Sequence, residues 1–173
     1  MTSPEEAVAA IDSAHREVHA ALAGISLDEL EEPATIGGGE WSAKDLVGHL
    51  TTWEEIAVAT IDEWRAGERP GIVDTFAADG TDGLNADEVA RKSVQPASEL
   101  LRRFDEVHEQ LCAALRGISP DEWGQHATYD DGDRDRTLGS LLGGILGSEA
   151  GPFRHVAAHQ RDLRAFSGPR APG

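Results

Sequence analysis

Cysteine, methionine, tyrosine and lysine are nearly missing: the 173 residues hold one, one, one and two of them. A single cysteine, Cys112, rules out an intrachain disulfide and a cage of several thiolates. It reads as a small, partly buried apolar residue rather than a nucleophile. Aromatic residues make up 5% of the chain and no stretch alternates apolar and polar positions for long, which excludes a strand-rich architecture. No apolar run approaches the roughly 18 residues of a membrane helix. The longest, LGSLLGGILG (138–147), is short and rich in glycine. The N-terminal MTSPEEAVAA carries acids where a secretory signal carries bases, so the expected location is cytoplasmic. Positive charge is scarce as well. Fifteen basic against 32 acidic side chains leave a net charge of −17, a field that repels phosphate backbones and anionic membranes. Neither nucleic acid nor membrane is therefore expected as a partner. Arginine supplies 13 of the 15 bases, a compositional mark of a GC-rich bacterial genome.

What the chain does have is helical pattern. Ser3-Pro4-Glu5-Glu6 forms a capping box with proline at the first helical position. Val8, Ile11, His15, Val18, Leu22 and Ile25 then follow a helical stripe, with Gly24 as a stop. A second helix opens at Ser42, with Asp45 three residues on and Trp41 placed to staple against Leu46. Its stripe runs through Leu46, His49, Leu50, Trp53, Ile56, Thr60, Ile61 and Trp64 and ends near Gly67 and Pro70. A third helix is expected over 86–116, with Leu100, Phe104, Val107, Leu111 and Leu115 on one face. A fourth is expected from Thr137 to about Phe166, ended by Gly168 and Pro169.

Two internal echoes organise these helices. AALAGISLDEL (20–30) returns 93 residues later as AALRGISPDEW (113–123), with eight of eleven positions identical. More loosely, SAKDLVGHL (42–50) aligns with TLGSLLGGI (137–145). The expectation is an all-α four-helix bundle with a pseudo-twofold repeat of helix pairs. It forms a single domain over 1–168 with a disordered tail at 169–173. One repeat is too few for a solenoid. The connector AGERPGIVDTFAADGTDGLN (66–85) is long for a compact domain; a lid over one end of the bundle and a mobile surface crossover are both open readings.

Seven histidines occur. His108 and His126 have no second imidazole at helical ligand spacing and read as solvated surface residues. Two pairs do have it, His15/His19 in HREVH and His155/His159 in HVAAH. Residues four apart share a helix face and can grip one ion. Because both pairs qualify, spacing alone does not choose between metal ligands and two rings that merely share a face. A catalytic metal usually takes three protein ligands and keeps one position open. His49, among Leu46, Leu50 and Trp53, is the candidate third, although a hydrogen-bonded core histidine has the same signature.

Taken together, EWSAKDLVGHLTTWEE (40–55) and FRHVAAHQRDL (153–163) resemble the DinB/YfiT-like superfamily. The W-S-x-x-D-L-x-x-H-L string at 41–50 and the C-terminal H-x-x-x-H carry the likeness, which covers essentially the whole chain. The resemblance implies a divalent metal held by His49, His155 and His159 inside a four-helix bundle. Trp53, Trp64 and Leu84-Asn85 look like the ClbS/DfsB-like branch, which implies Trp53 and Asn85 as substrate-pocket residues. Zinc, nickel and iron(II) all suit three imidazoles. His15 is the extra imidazole that could reach the cavity as a catalytic base, with a structural histidine as the alternative. Asp162 reads equally as a hydrogen-bond acceptor that orients the His159 ring and as a solvated surface charge.

Two competing motifs fail. Val156 stands where a zincin protease carries its glutamate. In DDGDRDR (130–136), Arg136 and Leu142 replace the glycine and glutamate of a calcium loop, leaving a solvated turn. The superfamily implies small-molecule chemistry. The expected function is a metal-dependent enzyme that adds water or a low-molecular-weight thiol such as mycothiol to an electrophilic substrate. Its class would be hydrolase or thiol transferase, its setting detoxification, self-resistance or natural-product metabolism. The alternatives are a non-catalytic protein that sequesters a small apolar compound near Trp41, Trp53 and Trp64, and a damage-inducible protein with a structural metal. A homodimer is compatible with the fold.

Overall fold

The computed structural model describes residues 2–33, 35–36, 39–78, 80–130 and 136–167. Gly168 and Pro169, the 169–173 tail and residues 131–135 of the acidic turn lie outside them. Among the described residues the chain is all helix, with only isolated β-bridges. The elements in order are α1 (Pro4–Leu22), α2 (Leu27–Glu31), α3 (Ala43–Arg65), α4 (Gly71–Ala78) and α5 (Asp82–Ser93). They continue with α6 (Ala97–Arg116), α7 (Pro120–Trp123), α8 (Leu138–Ile145) and α9 (His155–Phe166).

The helix starts follow from local chemistry. Ser3, Ser26, Ser42 and Thr137 each cap a helix, and each completes a capping box with the residue three positions on. Such a box satisfies two backbone donors that would otherwise lack partners. Both echoes have structural counterparts here. Ser26 and Ser119 start the short helices α2 and α7, burying Leu30 and Trp123. Ser42 and Thr137 start α3 and α8.

The central element is α3, which packs against α2, α4, α5, α6, α8 and α9. The expected stripe of α6 is fully buried from Leu100 to Leu115, and each such side chain contributes about 1.5–3 kcal/mol when removed from water. Two apolar clusters form. One gathers Trp53, Ile61, Leu111, Leu141, Ile145 and Phe153; the other gathers Leu46, Leu50, Phe104, Leu163 and Phe166. Along α3, His49 falls between Leu46 and Leu50 of the second cluster and Trp53 of the first.

Three expected elements differ. The third helix is two, α5 and α6, because Pro96 caps α6 in an extended conformation and disfavours helix at the residue before it. The connector is not irregular throughout, since α4 and the start of α5 occupy much of it. The fourth helix is interrupted between Ile145 and His155. A Cβ at Gly147 would sit 2.4 Å from the Gly143 carbonyl oxygen, and Gly151 takes φ +120°. Phe153 is held at φ 57° while its ring is buried. The amide of His155 then donates to the Leu146 carbonyl at 3.0 Å, which fixes where α9 begins.

Candidate metal centre

His49 comes from the middle of α3 and is 4% exposed. His155 and His159 come from the first two turns of α9, four residues apart. Their rings form a nearly equilateral triangle, with centroids 4.9 Å (His49–His155), 5.1 Å (His49–His159) and 5.2 Å (His155–His159) apart. One ligand atom from each lies within 4.8 Å of the others. His49 Nε2 and His155 Nε2 approach to 3.1 Å.

The electrostatics favour uncharged rings. Burial, then the neighbouring His155 and His159 and Lys92, holds His49 far below the ordinary imidazole range. Burial and His159 bring His155 down to about 3. Burial also lowers His159, against the opposing charge of Asp162. Among the described residues no hydrogen bond joins His159 to Asp162, so Asp162 acts on the ring by its charge alone. The only hydrogen-bond partner of these three rings among the described residues is one of themselves. Two facing Nε2 atoms share a single proton at best. Three neutral, converging imidazoles, His49 buried and His155 and His159 half-buried, fit a divalent transition metal.

The surrounding walls are aromatic. Trp41 lies 5.0 Å from His49 and 6.4 Å from His159, and Trp53 lies 5.7 Å from His155. Trp53 stacks on Phe76 of α4 at 6.3 Å, and its Nε1 donates to Asn85 Oδ1 at 3.1 Å. These groups, with Thr81 and the Gly144–Gly147 end of α8, enclose a cavity of about 290 Å³ that contains all three histidines. A larger groove of about 770 Å³ runs past Trp123, Gly139, Ser140 and Phe153. None of the described residues lining it is titratable, whereas the smaller cavity holds the three imidazoles. Phe76 and Thr81 were not foreseen from sequence. The unusual length of the 66–85 connector was the available signal, and part of that connector forms a cavity wall.

The structure therefore brings His49, His155, His159, Trp53 and Asn85 together, but not His15. That ring stacks on His108 at 3.9 Å in the seam between α1 and α6. Burial, His108 and His19 lower it to about 4 against the pull of Asp105. Its Nε2 lies 3.1 Å from Asp105 Oδ1, at an angle that makes no hydrogen bond. Trp64 also lies elsewhere, edge-on to Tyr129 at 5.7 Å. His108 is a second correction. The expected surface residue is 7% exposed, because Asp12 of α1 and Glu54 of α3 reach it from 96 and 54 positions away. Burial pushes its pKa down, but hydrogen bonds to Cys112, Glu54 and Asp12 outweigh that and raise it to about 10. His126 is exposed, as expected.

Among the described residues, no helix is long and apolar enough to cross a membrane. No curated protein matches the chain significantly. A crystal structure of a protein from Streptococcus pneumoniae is similar in fold, with a TM-score of 0.74 at 11% sequence identity, covering 96% of this chain and 91% of that one. The model of the DinB superfamily matches residues 35–150, a span that begins just before the Trp41–Leu50 string and takes in α3 to α8. The chain belongs to the DinB superfamily.

Proposed function

We propose that the protein is a metal-dependent small-molecule enzyme that adds water or a low-molecular-weight thiol to an electrophilic substrate. The observation that carries this reading is the triangle of three uncharged imidazoles, one buried and two half-buried, opening into an aromatic-walled cavity. His49, His155 and His159 would hold zinc, nickel or iron(II), with protein ligands on one side and the cavity on the other. Such an ion lowers the pKa of a bound water or thiol and polarises an electrophile. The chain's own residues do the rest. Trp41, Trp53 and Phe76 offer flat apolar faces that exclude water and favour a planar or apolar substrate. Asn85, fixed by the Trp53 indole, is a polar contact that can orient it. The histidines are the only titratable side chains among the described residues lining the cavity, so a proton released there has no carboxylate to receive it and passes to solvent. The superfamily resemblance supports a thiol such as mycothiol as one co-substrate, and detoxification or self-resistance as the setting.

The architecture we read around the site is a four-helix bundle built from two related helix pairs. The matched caps at Ser26/Ser119 and Ser42/Thr137 support it.

The test compares the wild type with a His49→Ala/His155→Ala/His159→Ala variant. We expect the second to hold about one equivalent of metal less than the first by elemental analysis. Turnover of small electrophiles, with and without thiol, should disappear with the metal when followed by mass spectrometry. Equal metal content and equal turnover in the two proteins would overturn the reading. A second reading, sequestration of an apolar compound, is favoured by the aromatic walls and the missing acid–base group. It predicts intact ligand recovered after many equivalents.

A further inference from the structure

A second convergence of ligand-type side chains lies in the seam between α1 and α6, on helices and residues that do not contribute to the histidine triangle. His108 and Cys112 stand four residues apart on α6 and share one face. Asp12 faces them from α1. His108 Nε2 lies 2.9 Å from Asp12 Oδ1, and Cys112 Sγ lies 3.4 Å from each of those atoms. We propose that Asp12, His108 and Cys112 form a second metal site, for a thiophilic divalent ion such as zinc.

Three features support it. Zinc bonds of about 2.0–2.3 Å to nitrogen, oxygen and sulfur place tetrahedral neighbours about 3.4–3.6 Å apart. Both sulfur distances already fall at that edge length, and the Asp12–His108 pair need open by only about half an ångström. The far side of the imidazole is the second feature. His108 Nδ1 faces Glu54 Oε1 at 3.5 Å, the carboxylate–histidine arrangement that typically supports a metal-bound imidazole. Glu54 is 9% exposed, and its other oxygen is buried without a hydrogen-bond partner, so the present contacts leave the carboxyl group half satisfied. The third feature is charge. A thiolate and a carboxylate balance a divalent ion, and binding displaces the Cys112 proton and the proton at His108 Nε2 to solvent. Arg116 approaches the opposite oxygen of Asp12, Oδ2, at 3.7 Å, which leaves Oδ1 for the ion. Asp12 is the least buried member of the set, with 33% of its side chain open, so the site meets solvent on its side.

Cys112 is the only cysteine in the chain, so a thiolate-to-metal signal has a single source. The metal-stripped, reduced full chain is titrated with cobalt(II) and followed by absorption. We expect an intense near-ultraviolet thiolate-to-cobalt charge-transfer band that zinc abolishes. It should persist in the His49→Ala/His155→Ala/His159→Ala variant and vanish in Cys112→Ser. Glu54→Gln should keep the band but weaken cobalt binding about 10–100-fold. Wild-type protein loaded with excess cobalt that shows only the weak visible bands of nitrogen and oxygen ligation would overturn the proposal, whatever the variants do. A band lost with the three-histidine variant while that variant stays folded by circular dichroism would overturn it too.

Discussion

The interruption between α8 and α9 predicts opposite effects for two glycines three residues apart. At Gly147, an added methyl would meet the Gly143 carbonyl oxygen at 2.4 Å and the Gly151 carbonyl oxygen at 3.3 Å. Both are backbone atoms, so no side chain can rotate away, and the turn must give by about 0.6 Å to reach even the shortest contacts that real Cβ atoms make. Overpacking of this kind costs about 1–3 kcal/mol. For a chain of 173 residues, each kcal/mol lowers Tm by about 2–4 °C, so Gly147→Ala should melt about 2–12 °C below wild type. The displaced turn carries the Leu146 carbonyl that receives the His155 amide, so metal affinity should fall along with stability. At Gly144, near the exposed end of α8, an added methyl meets nothing within 4 Å. Gly144→Ala should therefore be neutral or stabilising by up to about 1 kcal/mol, the helix-propensity gain. Thermal melts of the two variants in chelator, then isothermal titration with zinc, provide the measurement. If Gly147→Ala melts with wild type and binds metal equally well, the account of the break as glycine-enforced and site-determining is wrong.

Three further outcomes follow from the same structure. An ion that binds the folded chain alone stabilises it by about 2.7 kcal/mol at a hundredfold excess over Kd. Zinc at the histidine triangle should then raise the wild-type Tm by about 5–11 °C, and the three-histidine variant should show a zinc-induced rise smaller by that amount in differential scanning calorimetry. Phe104 is 1% exposed between α1 and α3, so Phe104→Ala should lose about 3–5 kcal/mol in urea titration; a loss below about 1 kcal/mol would contradict its core role. Burial raises the pKa of Glu55, but Lys92 and Arg103 outweigh it and hold the carboxyl below its ordinary 4.5. A depressed folded-state value means the stabilisation is present above about 4.5 and is lost as pH falls through the folded value. The stability gap between wild type and Glu55→Gln, measured by urea titration in chelator, should therefore be widest at neutral pH and shrink as pH falls below 4.5. A gap that widens on acidification would reverse the assignment.

Features decided within one turn of chain were readable. Capping boxes at Ser3, Ser42 and Thr137 depend on residues three apart, and the α6 stripe depends on period alone. Pro96 was equally visible, yet the apolar spacing on either side suggested one helix where its ring forces two. The fate of the fourth helix was less accessible. LGSLLGGILG and HVAAHQRDL both have helical spacing, and the interruption rests on a close approach at Gly147 and on the buried ring of Phe153, which only tertiary packing creates. The histidines divide the same way. His155 and His159 share a helix face by spacing, and His49 joined them through a recognisable sequence context. His15 shows the same four-residue spacing and lands in a different cluster, because the direction of its stripe depends on how α1 sits against α6. His108 looked like a surface residue because its partners, Asp12 and Glu54, lie on other helices.

The placement of the three histidines also bears on how metal and fold depend on each other. His49 lies on a helix whose flanking residues belong to two separate apolar clusters, and His155 begins the helix that follows the break. Without an ion, the three rings have one Nε2–Nε2 contact between them, so few bonds of their own tie α9 to α3. That weak link falls at the junction of the two clusters rather than within either core. Loss of metal should accordingly loosen α9 and the end of α8 before it unfolds α6, whose buried stripe contributes no residue to the site, and α3, which packs along α6. Hydrogen exchange of the stripped protein should show that order, with His155–Phe166 amides losing protection first. Uniform loss across α3, α6 and α9 would mean instead that the metal centre and both cores fold as one cooperative unit.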